Sequence, residues 1–387
     1  MIKNISVGID IGSSLTRVVV GEFVKGEKNP KVIGVGIAPT FGLRHGYVVN
    51  TAQAIASVKN AIAQAEKSSG AKIRRAFVAL SGATLRGETS SGSAIISKAD
   101  GEVTSLDVSK AMEDAEDNLS LGNKKIVHSF PVSYRLDGKE VQGRPLGMRG
   151  TKLEVKALFV TYSIVHLEDL LGVLAEAGVE TLDVVASPVS AQDLCLSEKQ
   201  KIVGVALVDI GAEKSLVSVF ENGLLISVHT FSIGSSDITN DIALGLKIPL
   251  EQAEDLKLGT ATEEFPKKKL DEIIEARLCD IFESIDNHFK KLKRSELLPA
   301  GVVFIGGGSS TPGILELSKS ILKLPSSLGT TEMFNNTKTK LRDSAWFPAI
   351  GLLSAVKSNG NFSTGTLDGL LRDLKASIKS GLKQLMP

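Results

Sequence analysis

The chain has 387 residues, 42% of them apolar and 23% charged, which is enough for two compact domains and too evenly mixed for disorder or membrane immersion. Forty-five Lys and Arg offset forty-four Asp and Glu, so no nucleic acid is expected as a partner and any charged partner must meet a local patch. Cys195 and Cys279 lie in apolar stretches and His45, His128, His166, His229 and His288 lack ligand spacing, which excludes a disulfide framework and a His-based metal centre. Asp10 interrupts the first apolar run, so neither a secretory signal nor a spanning helix is expected there, and the expected compartment is the cytoplasm.

The first predicted element is a hairpin over Ile5 to Val20, two β-rich runs joined by Gly12-Ser13-Ser14. Ala54, Ile55, Val58, Ala61, Ile62 and Ala65 recur at helical spacing across 51–68, and Phe77 to Leu80 reads as a buried strand. From about Gly82 to Thr161 the composition changes. Gly- and Ser-rich loops, one helix carrying Val108, Ala111, Met112 and Ala115, and strands near 126–130 and 153–160 predict a small inserted α+β subdomain. Ser163 then caps a helix with Leu167, Leu170, Leu171 and Leu174 on its core face, which Gly178 ends.

A second hairpin over Val205 to Phe220 repeats the first, with Asp209-Ile-Gly211 matching Asp10-Ile-Gly12. The chain therefore reads as two related halves of alternating strands and helices, a layered α/β fold. Helices are expected over 235–246 and 251–258, one or two exposed helices over 269–293, and a buried strand at Val302 to Ile305 running into Gly306-Gly307-Gly308. Small polar residues over 357–365 predict a flexible linker. Thr366 caps a last helix in which Leu367, Leu370, Leu371, Leu374, Ile378, Leu382 and Leu385 fall in an arc of roughly 120°. Arg372, Lys375, Lys379 and Lys383 edge that stripe, a pattern suited to an anionic lipid surface.

Phosphate oxygens are bound by inward-pointing backbone N–H groups, and glycine allows the approach. One hairpin from each half supplies such a turn: Gly12, Ser13 and Ser14 from the first, and Gly211, Ala212, Glu213 and Lys214 from the second. Asp10 and Asp209, each just before its turn, are then placed to hold Mg²⁺ through water. Gly306, Gly307 and Gly308 let an adenosine lie against bare backbone, and Glu254 and Lys257, three apart on a helix, suit a ribose hydroxyl pair. Together these point to ATP and Mg²⁺. No Gly-x-x-x-x-Gly-Lys-Ser/Thr run is present, which excludes a P-loop.

With these pieces in this order the sequence resembles the actin, DnaK and sugar-kinase superfamily, and within it the FtsA family. The most specific matches are Pro145-Leu-Gly-Met-Arg-Gly150 with Leu153-Glu-Val155, and Ile233-Gly-Ser-Ser-Asp-Ile-Thr239-Asn-Asp241 followed by Ala253-Glu-Asp-Leu-Lys257. The resemblance implies a bilobed actin-like ATPase fold with a small inserted subdomain and a C-terminal amphipathic helix. Half I would be 1–81 and 162–200, the insertion 82–161, half II 201–254 and 298–356, and its outer helical subdomain 255–297, followed by the linker 357–365 and a membrane helix 366–387. It further implies a polymer that tethers FtsZ filaments to the cytoplasmic face of the plasma membrane at the division site, Arg277 contacting the acidic FtsZ tail, and later division proteins as further partners. The family usually carries Asp-x-Gly-Gly-Gly-Thr in the second turn, whereas Ala212, Glu213 and Lys214 stand here. The position that orients the attacking water in actin-type ATPases falls near Ser187, a poor group for that work, so slow or absent hydrolysis is expected. The alternatives are a PilM-like pilus assembly scaffold, which shares the fold, and a small-molecule kinase of the same superfamily.

Overall fold

The architecture grows from the two predicted hairpins. The computed structural model describes residues 5–24, 29–261, 265–331 and 340–355, and the expected linker and amphipathic helix over 357–387 lie outside the described residues. Within these residues the chain forms two compact units, one of 1–87 with 165–356 and one of 88–164.

In the first unit, β1 (Ile5–Ile11) pairs antiparallel with β2 (Leu15–Glu22), which pairs with β3 (Lys31–Pro39). The two-residue strands β4 (Leu43–Arg44) and β5 (Tyr47–Val48) form a small turn. Helix α1 (Thr51–Ser69) follows, its Asn50 side chain accepting from Gln53 N and Gly70 closing it in the left-handed conformation. Ala54, Val58, Ala61, Ile62 and Ala65 are all buried on one stripe, because their i, i+4 spacing places them on the face packed against the sheet. The chain then adds β6 (Arg75–Leu80) parallel to β1.

The second unit takes strand β7 (Arg86–Ile95), α2 (Ser105–Asp117), β8 (Lys124–Leu136), β9 (Lys139–Val141) and β10 (Lys152–Ser163), with sheet order β7-β10-β8-β9. Ala111 and Ala115 of α2 pack on Leu153, Val155, Ala157 and Phe159 of β10. Thr104 and Asp107 form a reciprocal capping box at the start of α2. Hydrogen bonds from the Thr104 side chain, and then from Ser97, hold the Asp107 carboxyl well below the usual carboxylate range.

Back in the first unit come α3 (Ile164–Glu176), β11 (Glu180–Ala186), α4 (Ser187–Cys195) and α5 (Glu198–Val203). The second hairpin is β12 (Val205–Ile210) and β13 (Ser215–Glu221), continued by β14 (Leu224–Phe231). Helices α6 (Ser235–Leu246), α7 (Leu250–Leu258) and α8 (Lys267–Lys291) follow, then β15 (Val302–Ile305), α9 (Ile314–Leu322), β16 (Ser326–Leu328) and α10 (Phe347–Ala355). Where one or two exposed helices are expected, α8 is a single helix. Ile274, Leu278, Ile281, Phe282, Ile285 and Phe289 are buried at i, i+4, i+7 spacing, so the charged residues solvate its outer face only.

The strand orders β11-β6-β1-β2-β3 and β16-β15-β12-β13-β14 are the same order written twice. In each half the first strand is antiparallel to the second and parallel to a later strand. The duplication visible as two Asp-Ile-Gly hairpins therefore extends to whole sheets.

Phe282 of α8 and Phe304 of β15 meet edge to face, 5.7 Å between centroids, and both are fully buried. The substitution Phe282→Ala is expected to cost about 3–5 kcal/mol through lost burial and a residual cavity, read as a lowered urea midpoint.

Candidate functional site

Each sheet's first strand ends in a carboxylate and reverses within four residues. Asp10 faces Arg17 across its hairpin and Asp209 faces Leu216 across the other. The two turns close identically: Gly12 N donates to Leu15 O at 3.2 Å, and Gly211 N donates to Lys214 O at 2.8 Å. Helix α6 begins against the second turn, with Ser235 N and Ser236 N donating to the carbonyls of Gly211 and Ala212 at 2.9 and 2.7 Å. Gly234 allows this approach, since a Cβ there would lie 2.4 Å from Ala212 O.

These turns border one cavity of about 540 Å³, within the size range of small-molecule sites. Of the residues expected around a nucleotide, Asp10, Gly12, Ser13, Ser14, Asp209, Gly211, Ala212, Lys214, Glu254, Lys257, Gly306 and Gly307 line it. Gly306 has φ +85°, and a Cβ on it would lie 2.2 Å from Asp209 Oδ1, so only glycine lets β15 run this close to the carboxylate.

Several expected residues take other parts. Glu213 is not in the lining: His45 N donates to its Oε2 at 2.6 Å, and the His45 ring meets its carbonyl oxygen at 3.0 Å. Its carboxylate is thereby drawn away from the cavity. Gly308 packs on Ile210, 2.4 Å from that side chain's Cγ2 to a Cβ position, and the glycine triplet leads into a short 3-10 turn at Gly307–Ser310 rather than directly into α9. Ser187 is buried at the start of α4, outside the cavity lining. Lys257 is a brace more than a grip, because its Nζ donates to Ser235 O, Thr239 Oγ1 and Glu254 Oε2 at 3.2, 2.9 and 2.7 Å, which occupies all three protons. Arg277 lies on α8 with its fork on Asp241, Nε to Oδ2 at 2.6 Å and Nη2 to Oδ1 at 3.0 Å. Of the bases near it in sequence, Arg294 is held by Glu221 and Lys290 by Asp286.

Arg17, Ser235, Ser236 and Asp343 line the cavity without having been singled out. Arg17 was accessible from hairpin register, since a four-residue turn after Ile11 places it opposite Asp10. Asp343 enters from a distant segment that carries no motif.

Three polar atoms of the lining, Ser13 Oγ, Arg17 Nε and Lys214 Nζ, are buried with no hydrogen-bond partner. Unmet donors beside bare glycine turns are what a phosphate chain completes, so the residues fit a nucleotide. They do not fit Mg²⁺ on Asp10 and Asp209 equally well, because those carboxylates already face the positive charges of Lys214 and Arg17. Among the described residues no group of three or more His, Cys, Asp or Glu side chains is placed to hold a metal.

Burial, and then the neighbouring Asp10 charge, pushes the Asp209 carboxyl up to about 6. Burial likewise raises Asp10 and lowers Lys214. An acid raised from its ordinary value of 3.8 binds its proton more tightly in the folded state. Stability then falls as pH climbs from about 4 to about 6, and at neutral pH the loss is complete. Asp209→Asn is therefore expected to stabilise the ligand-free protein at pH 7.5 by on the order of 1–3 kcal/mol, with the gain fading below pH 6 in denaturation midpoints.

Comparison with known proteins follows the same lines. A family model described as Cell division protein FtsA matches residues 206–351, and one described as SHS2 domain inserted in FTSA matches residues 82–161. Cell division protein FtsA of Bacillus subtilis is 30% identical over 369 residues, covering 90% of this chain and 82% of the relative. Its counterpart in Pseudomonas aeruginosa is 28% identical over 369 residues, covering 90% and 88%. Among solved structures, the PilM-PilN type IV pilus biogenesis complex superposes with a TM-score of 0.67 at 17% identity, covering 90% of this chain and 98% of the other. MreB5 of Spiroplasma citri bound to ADP superposes with a TM-score of 0.50 at 14% identity, covering 92% and 98%. At these identities the structural likeness speaks to the fold, which is a mixed α/β actin-like one.

Proposed function

Because the chain belongs to the FtsA family of cell division proteins, we propose that it binds ATP in this cavity, self-associates into filaments, and ties FtsZ filaments to the cytoplasmic face of the plasma membrane. The observation that carries the nucleotide part is the convergence of two equivalent hairpin turns and Gly306-Gly307 on one cavity containing three unmet polar groups. Backbone N–H groups near Gly12 and Gly211 orient the phosphates, and the open backbone at Gly306 and Gly307 receives the adenosine. Hydrolysis is slow in this reading, since Ser187, at the expected water-orienting position, is buried outside the cavity lining.

The membrane part rests on sequence. The leucine stripe of 366–387 with Arg372, Lys375, Lys379 and Lys383 along its edge lies flat at an anionic interface. Each partly buried leucine contributes roughly 1.5 kcal/mol or more, and self-association multiplies the weak anchors. Among the described residues no helix is long and apolar enough to cross a membrane. The FtsZ tail would dock at α6 and α8, where Arg277 is held in one orientation by Asp241. An acidic peptide there would use the outward edge of the guanidinium and exchange with Asp280, its second partner at 3.1 Å.

Two measurements test this reading. Removal of 367–387 is expected to release the protein from anionic liposomes in a flotation assay; flotation unchanged by the deletion rejects the membrane role. Titration calorimetry of the full chain with ATP is expected to show one site per chain, and silent titrations reject the nucleotide reading.

A further inference from the structure

The residue that most sets this cavity apart is Lys214. It closes the second turn where Leu15 closes the first, so the two halves place an ammonium and an isobutyl group at equivalent points. The Lys214 side chain is buried, at 7% exposure, its Nζ has no hydrogen-bond partner, and it borders the cavity beside Asp10 and Asp209. A Cβ on Gly46 would sit 3.0 Å from that Nζ, so the loop carrying His45 packs close against the ammonium. The one carboxylate adjacent to it in sequence, Glu213, is bonded to His45 N instead. An ammonium buried with three unmet protons is costly. Its charge is balanced at a distance by Asp10 and Asp209, and its missing acceptors are oxygen atoms of whatever enters the cavity.

The space between two carboxylates at the mouth of paired glycine turns is where a hydrated divalent ion ordinarily neutralises a polyphosphate. Here a cation is already built into the chain at that place, and a second, divalent one would be repelled by it. We propose that Lys214 takes the place of the metal ion, so that the nucleotide binds as the metal-free anion with its phosphates on the Lys214 ammonium and Arg17 completing the charge balance. Asp10 and Asp209 then hold the ammonium in position and do not ligate Mg²⁺. The proposal rests on the nucleotide reading above, and it adds a chemical distinction: the ligand is ATP free of Mg²⁺.

The test is calorimetry of ATP with the full chain, once with excess EDTA and once with excess Mg²⁺. The unaltered protein is expected to bind about tenfold or more tightly in EDTA than in excess Mg²⁺, because the metal draws ATP into a complex the site does not accept. Lys214→Thr, which installs the hydroxyl usual in the family at this turn, is expected to bind about tenfold or more weakly in EDTA and to recover in Mg²⁺. Unaltered protein that binds as tightly or more tightly with Mg²⁺ overturns the proposal while leaving the nucleotide reading standing, as does a Lys214→Thr variant with the same metal response as the parent. No heat in either buffer overturns the nucleotide reading and this proposal with it. Because the first comparison uses the unaltered chain, it does not depend on a variant folding. A second variant, Lys214→Met, keeps the length and removes the charge. It is expected to bind ATP about tenfold or more weakly than the parent in EDTA, and undiminished binding there would show that the ammonium does not hold the phosphates.

Discussion

The constraint on which the rest of the structure depends is the burial of two carboxylates, Asp10 and Asp209, at equivalent ends of two equivalent strands. Taking a carboxylate out of water is expensive, and two near each other cost more still. The chain responds with cations from the hairpins themselves, Arg17 across from Asp10 and Lys214 at the end of the second turn. It also removes the nearby competing anion by bonding Glu213 to His45. Gly306 then leaves room for the Asp209 carboxylate against β15. Stability is given up locally to maintain a charged, glycine-walled cavity, the expected signature of a binding site rather than of a core.

Duplication explains why such a cavity exists at all. Two copies of the same five-strand order place two copies of the same hairpin turn on one cavity. The copies have diverged in their chemistry while keeping the backbone bond that shapes the turn, Gly12 N to Leu15 O in one and Gly211 N to Lys214 O in the other. The first turn is neutral and presents serines, whereas the second is charged. A polyphosphate held between them meets hydroxyl and amide donors on one side and a fixed positive charge on the other. The inserted unit of 88–164 has its own core of Ala111, Ala115, Leu153, Val155 and Phe159, so it is stabilised by its own packing.

Outer helices illustrate how charge on a surface is used internally before it reaches a partner. Arg277 is clamped by Asp241, Arg294 by Glu221, and Lys257 by Glu254 and Thr239. Arg277 and Lys257 read in sequence as free hands extended to a ligand. In the fold each orients an element, and the arginine on α8 keeps at most one edge for an outside acid.

Sequence alone determined the elements and the family. Hydrophobic period, glycine position and the repeated Asp-Ile-Gly are local properties, and they placed both hairpins, α1, the strand at Val302 and the glycine turn after it within a residue or two, because backbone sterics and the burial of one face act over a few residues. Twelve of the residues named from sequence line one cavity of the fold. Tertiary structure alone decided where long side chains end. Glu213 turns to His45, 168 residues away in sequence, Lys257 spends its protons within its own helix pair, Ser187 is sealed under α4, and Lys214 points inward to two aspartates. A side chain with four rotatable bonds takes its direction from partners that only folding brings within a few ångströms, and no spacing along the chain records who those partners are.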